Sequence, residues 1–76
     1  MEIIHSIVEV REGDIVEFHR EQKSKYKGIL SLSSELVFGE VRSKFYDTTI
    51  GAWVLEVAND KGTIMITEED FIKALR

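Results

Sequence analysis

The chain has 76 residues, a formal charge of −4, 43% hydrophobic and 32% charged side chains, and neither cysteine nor proline. That length holds one small globular domain, residues 1–76, and excludes a second, while the lack of cysteine excludes disulfide staples, thiolate metal clusters and thiol nucleophiles. A domain of this size buries only about 60 to 65% of the surface its unfolded chain exposes, so a second subunit would add to its stability.

Glu2 to Val10 is rich in β-branched residues and reads as a strand. Arg11-Glu12-Gly13 supplies a three-residue hairpin loop with glycine where the backbone needs a positive φ, and Asp14 to Arg20 is the return strand. That loop sets Val8 opposite Val16, Ser6 opposite Phe18 and His5 opposite His19, with the apolar faces meeting. Gln22 to Tyr26 is a polar, basic connection, Tyr26 to Leu32 a third strand, and Ser33-Ser34-Glu35 a turn. Leu36 to Phe45 is a fourth strand with a bulge or bend at Gly39. After a loop over Tyr46 to Gly51, Ala52 to Ala58 is a fifth strand. Asn59-Asp60-Lys61-Gly62 is a turn that sets Val57 against Ile64 and Leu55 against Ile66, leaving Thr63 to Ile66 as the sixth strand. The chain then reads as a helix: Thr67 as N-cap, Glu68, Glu69 and Asp70 in the first turn, Lys73 and Arg76 in the last, and Phe71, Ile72 and Leu75 as an apolar stripe.

These elements predict a mainly β fold, a small, strongly bent antiparallel sheet or barrel of five or six strands with one C-terminal helix. The stretches Gly13-Asp14-Ile15-Val16-Glu17-Phe18, Lys27-Gly28-Ile29-Leu30 and Trp53-Val54-Leu55-Glu56-Val57 resemble those of SH3-like small barrels, over roughly residues 8–72. No apolar run approaches the roughly 18 residues that span a bilayer, and no basic flank precedes an apolar stretch at the start. The expectation is a cytoplasmic protein with no membrane partner.

Chemistry-bearing patterns are sparse. The serines sit in no nucleophile elbow, and the five glycines, at 13, 28, 39, 51 and 62, stand too far apart to cradle a phosphate. His5 and His19, with Glu17 and Glu21 nearby, have the donor types of a zinc or copper site but no supporting spacing, so they read as solvated cross-strand partners. No catalytic residue, cofactor or metal is expected, and the chain reads as a non-enzyme.

Two charged surfaces remain. Residues 1–17 carry five acids against one base, and Glu9, Glu12, Asp14, Glu17 and Glu21 trace the outer side and tip of the first hairpin. A rigid row of anions has the sign and spacing of a nucleic-acid backbone and suits a basic nucleic-acid-binding protein. Residues 18–31 carry four bases against one acid, and Arg20, Lys23, Lys25 and Lys27 surround Tyr26, a patch able to bind nucleic acid directly. Ile3 and Ile7 on the outer face of the first strand are candidate contacts of a homodimer or an assembly.

In size, in acidity and in lacking proline and cysteine, the chain resembles the small accessory proteins made early by bacterial viruses, several of which block host proteins by mimicking DNA. The resemblance implies a protein-binding inhibitor or adaptor acting in the host cytoplasm, with the acidic hairpin as its contact surface. The alternative is an SH3-like module that binds nucleic acid, or a nucleic-acid machine, through the basic loop 20–27.

Overall fold

A computed structural model describes the backbone of residues 1–26 and 29–76 and the side chains of residues 1–20 and 36–76. Six antiparallel strands form one sheet: β1 (Ile3–Ile4), β2 (Ile15–Tyr26), β3 (Ile29–Asp47), β4 (Ala52–Asn59), β5 (Gly62–Thr67) and β6 (Phe71–Leu75). Their order across the sheet is β1-β6-β2-β3-β4-β5, with β1 and β5 as its edges, so the sheet is not closed into a barrel. Among the described residues there is no α-helix, and no helix long and apolar enough to cross a membrane.

The first segment departs from the expected long strand. Only Ile3–Ile4 is extended, pairing with β6, and Ile7–Glu9 forms a 3-10 helix. The buried residues are Ile4 on β1, Ile7 in the 3-10 helix and Val10 at its C-cap, and the i to i+3 eclipse of a 3-10 turn brings Ile7 and Val10 to one side. Val8, expected in the core, is 53% exposed, while Ile7, expected outside, is 2% exposed. Lys44 Nζ on β3 donates to the Val8 carbonyl at 2.5 Å and lies 5.1 Å from the Trp53 ring centroid, tying this segment to the sheet.

The expected hairpin partner of β2 is therefore absent, and β2 instead pairs with β3 on one side and β6 on the other. The β2–β3 register runs unbroken from Ile15↔Glu40 to Tyr26↔Ile29. It absorbs both the basic connection and the expected turn at Ser33-Ser34-Glu35, which are strand residues facing Gln22, Glu21 and Arg20. Serine and glutamate do not compel a turn, and a partner with unpaired backbone groups holds them extended.

The β4–β5 hairpin matches its sequence: Val57 pairs with Ile64 and Leu55 with Ile66, and Gly62 has φ +125°. The irregularity expected at Gly39 lies further along, between Val41 and Ser43. Gly39 is instead a point of close approach, where a Cβ would overlap Val57 Cγ1 and come within 3.0 Å of the Ala58 carbonyl oxygen.

The expected C-terminal helix is a strand. After a turn in which Asp70 N–H donates to the Thr67 carbonyl at 3.2 Å, β6 runs between β1 and β2, and Ala74 pairs with both Ile4 and Val16. An isolated helix of nine or ten residues is marginal in water, whereas a strand there satisfies the ladder of β2 and seats Ala74 fully inside. The core joins these elements: Ile4, Ile7 and Val10 pack with Val16, Phe18, Val41, Leu55, Val57, Ile66 and Ala74.

Candidate interaction surface

The acidic set falls into unlike environments. At the turn before β2, Gly13 takes φ +91° and its N–H donates to the Val41 carbonyl at 2.8 Å, while Val41 N–H returns a bond to the Asp14 carbonyl at 2.9 Å. Asp14 is turned inward and is only 4% exposed. Its carboxylate accepts bonds from Arg11 N–H at 2.8 Å and from Arg76 Nε and Nη2 at 3.0 and 2.9 Å, a two-pronged charge-assisted pair. Arg76 also donates from Nη2 to the Glu9 carbonyl at 3.0 Å and lies 3.4 Å from Glu2 Oε1, so one guanidinium joins both ends of the described chain to the turn. The Arg76 bonds, seconded by the Arg11 N–H, hold the Asp14 carboxyl below the usual carboxylate range, against the opposing effect of burial. The same pair raises the Arg76 guanidinium above its ordinary value.

Of the other expected contact acids, Glu9 and Glu12 are exposed on the 3-10 helix and the turn. Glu17 is half-buried and lies 3.8 Å from Lys73 Nζ on β6. Glu21 is a β2 position opposite Ser34, with its side chain outside the described residues. The outer row of carboxylates needed a hairpin between residues 2–10 and 14–20, and that pairing does not form. Nor do the histidines face one another: His19 pairs with Leu36 and His5 follows β1. Among the described residues no group of three or more metal-binding side chains is assembled. Ile7, expected at an outer interface, belongs to the core, whereas Ile3 is 49% exposed.

The basic set lies on a different kind of element. Strand β6 follows β2 only as far as Phe18, with one further bond from His19 N–H to the Asp70 carbonyl at 2.9 Å. Strand β4 follows β3 only from Glu40, with Asn59 Nδ2 donating to the Phe38 carbonyl at 3.3 Å. Beyond those points, Arg20–Tyr26 and Ile29–Glu35 pair only with each other among the described residues. Seven residues at about 3.4 Å each give a two-stranded ribbon roughly 24 Å long. Its cross-strand pairs include Lys23 with Leu32, Lys25 with Leu30 and Tyr26 with Ile29; Lys27 lies outside the described residues. The molecule's extents of 44 × 31 × 21 Å and radius of gyration of 13.8 Å reflect this, since a compact chain of this length has a radius near 11 Å.

Sequence reasoning located the basic residues but read their segment as a loop. The signal it lacked was long-range: only the continuous register across Ser33–Glu35 makes an arm of them. Comparison with protein-family models, curated proteins and solved structures gave no match to this chain.

Proposed function

We propose that this chain is a non-enzymatic binding module that takes single-stranded nucleic acid on the β2–β3 ribbon, with Arg20, Lys23 and Lys25, together with Lys27 outside the described residues, meeting phosphates and Tyr26 stacking a base. The observation that carries this is the extension of β2 and β3 beyond their neighbours: from Glu21 to Tyr26 the basic segment is paired only with β3 among the described residues, while Arg20 at its base lines a cleft with Glu69 and Asp70. Residues 20–35 hold four bases and two acids, whereas the remaining residues hold twelve acids and six bases. An acidic body would repel a polyanion bound against it. Charge effects in solution decay over about 8 to 10 Å at physiological salt, so the outer half of a ribbon roughly 24 Å long is largely screened from that repulsion. The succession β2 to β5, with β6 returning beside β2, also supports kinship with SH3-like small barrels in an open form.

A second reading keeps the acidic body as the contact surface for a basic nucleic-acid-binding protein, favoured by that same excess of acids. Asp14 and Glu17, already engaged by Arg76 and Lys73, drop out of it and leave Glu9 and Glu12.

Fluorescence anisotropy with a labelled oligonucleotide across a salt series tests the proposal. Binding should weaken steeply with salt, and Lys23, Lys25 and Lys27 changed together to Glu should abolish it; Tyr26→Ala should weaken it roughly ten-fold. No salt-sensitive binding by the wild type, or full affinity in the triple variant, refutes the ribbon. Capture of a cationic protein that survives the triple variant and is lost in Glu9→Lys/Glu12→Lys establishes the second reading instead.

A further inference from the structure

The two edges of the sheet differ. Strand β1 is an edge of two residues, flanked by Glu2 and His5, and is thus blunted by shortness and charge. Strand β5 is an edge of six residues, Gly62-Thr63-Ile64-Met65-Ile66-Thr67, with no charge, no proline and no irregularity in its pairing to β4. Among the described residues, no backbone hydrogen bond joins Gly62 to Ile66 to any element other than β4. A regular, uncharged edge of this length is a template for one more strand. Beside it opens a cleft of about 450 Å³ lined by Ile64 and Ile66 on the β5 side and by His19, Arg20, Glu69 and Asp70 across from it.

We infer that β5 pairs antiparallel with β5 of a second copy of this chain, about a two-fold axis at Met65, joining two sheets into one. Three features of the strand select this occupant and this register. Side chains alternate: Ile64 and Ile66 face the core side, whereas Met65 is 54% exposed on the other face, so only registers whose partner numbers sum to an even value keep apolar faces aligned. Of these, a sum of 130 sets Met65 opposite Met65, Ile64 opposite Ile66 and Thr63 opposite Thr67. Shifting by one pair in one direction places Ile66 against Gly62, and in the other Ile64 against Glu68. The flanking charges favour it on balance: in this register Lys61 stands opposite Glu69, while Asp60, which precedes it, stands opposite Asp70. Antiparallel pairing brings the lysine of each copy to the acids of the other, whereas parallel pairing would set acids against acids. The same contact made by both copies closes on itself and gives a dimer rather than a fibre.

The chain has no cysteine, so a single introduced thiol reports its own neighbour. Directly opposed residues in an antiparallel pair have Cα atoms about 4.5 to 5.5 Å apart, within the span of a disulfide. Met65→Cys should cross-link to a covalent dimer under mild oxidation far faster than Glu12→Cys, an exposed control on the turn before β2. A mixture of Thr63→Cys and Thr67→Cys chains should give mainly the mixed dimer. Sedimentation equilibrium of the unmodified chain should show a concentration-dependent dimer, with slowed hydrogen exchange at β5 amides as it forms. Met65→Lys, which sets two cations across the axis on an exposed face, should give a folded monomer. Three results would each overturn the inference: monomer at every concentration, cross-linking of the Met65→Cys chain no faster than that of the Glu12→Cys control, or a dimer whose β5 amides exchange as fast as the monomer's. The last would assign the contact to another surface.

Discussion

Asp14 shows how far a residue's role can lie from its sequence context. As one acid among five it read as part of an exposed row, yet it is buried against Arg76, which lies 62 positions away in the chain. Arg76 itself read as a cation at a helix end, which is why the pairing was not legible. Gly13 was legible, because a positive φ at a tight turn is a local property that glycine alone meets without strain. Removing the carboxylate strands a partly enclosed guanidinium and the Arg11 N–H, so Asp14→Ala should cost about 2 kcal/mol and lower the melting temperature by roughly 8 to 16 °C. The pH dependence follows from the direction of the shift. With its folded-state pKa depressed, Asp14 contributes its full stabilisation above the unfolded value near 3.8, and loses it as the pH falls through the lower folded value. Thermal melts of wild type and Asp14→Ala should differ most at neutral pH and converge in acid; a difference that grows in acid would contradict the pairing.

At the scale of elements, the sequence was readable where one local signal sufficed and misleading where two periods overlapped. The β4–β5 register followed from a four-residue turn and strict alternation. Residues 2–10, by contrast, are β-branched enough to suggest a strand, but their buried positions repeat every three residues. The two descriptions make opposite claims about neighbouring side chains. Ile7→Ala should cost about 2 to 4 kcal/mol, and Val8→Ala less than about 0.5 kcal/mol, in denaturant unfolding; the reverse order would restore the long strand. The last segment carried sound helix-end signals, and what overrode them was tertiary: the open side of β2, which an extended Phe71–Leu75 completes. Proton NMR should show cross-strand contacts from Ala74 to both Val16 and Ile4, whereas sequential helical contacts over 71–75 would rule β6 out. Gly39 belongs at this scale too. Gly39→Ala would press on Val57 and the Ala58 backbone where β3 meets β4, and should destabilise by about 1 to 3 kcal/mol.

For the whole molecule, the determining feature is an acidic six-stranded sheet from which the basic β2–β3 ribbon extends. Composition located both charges, but the ribbon arises from how far β2 and β3 pair with each other beyond β6 and β4, as far as Tyr26↔Ile29. Under the proposed reading, separation keeps opposed charges from cancelling at close range, so the basic ribbon can meet a polyanion that the acidic body would repel. Pairing of two chains through β5 would present two such ribbons at a fixed spacing, and a strand long enough to meet both would be held more tightly than by either alone. The most direct measurement is backbone amide NMR during titration with a short single-stranded oligonucleotide at low ionic strength. Shifts should be confined to residues 20–35 and reverse as salt is added. Shifts centred on Glu9 and Glu12, or a spectrum that does not change, would contradict nucleic-acid binding on the ribbon.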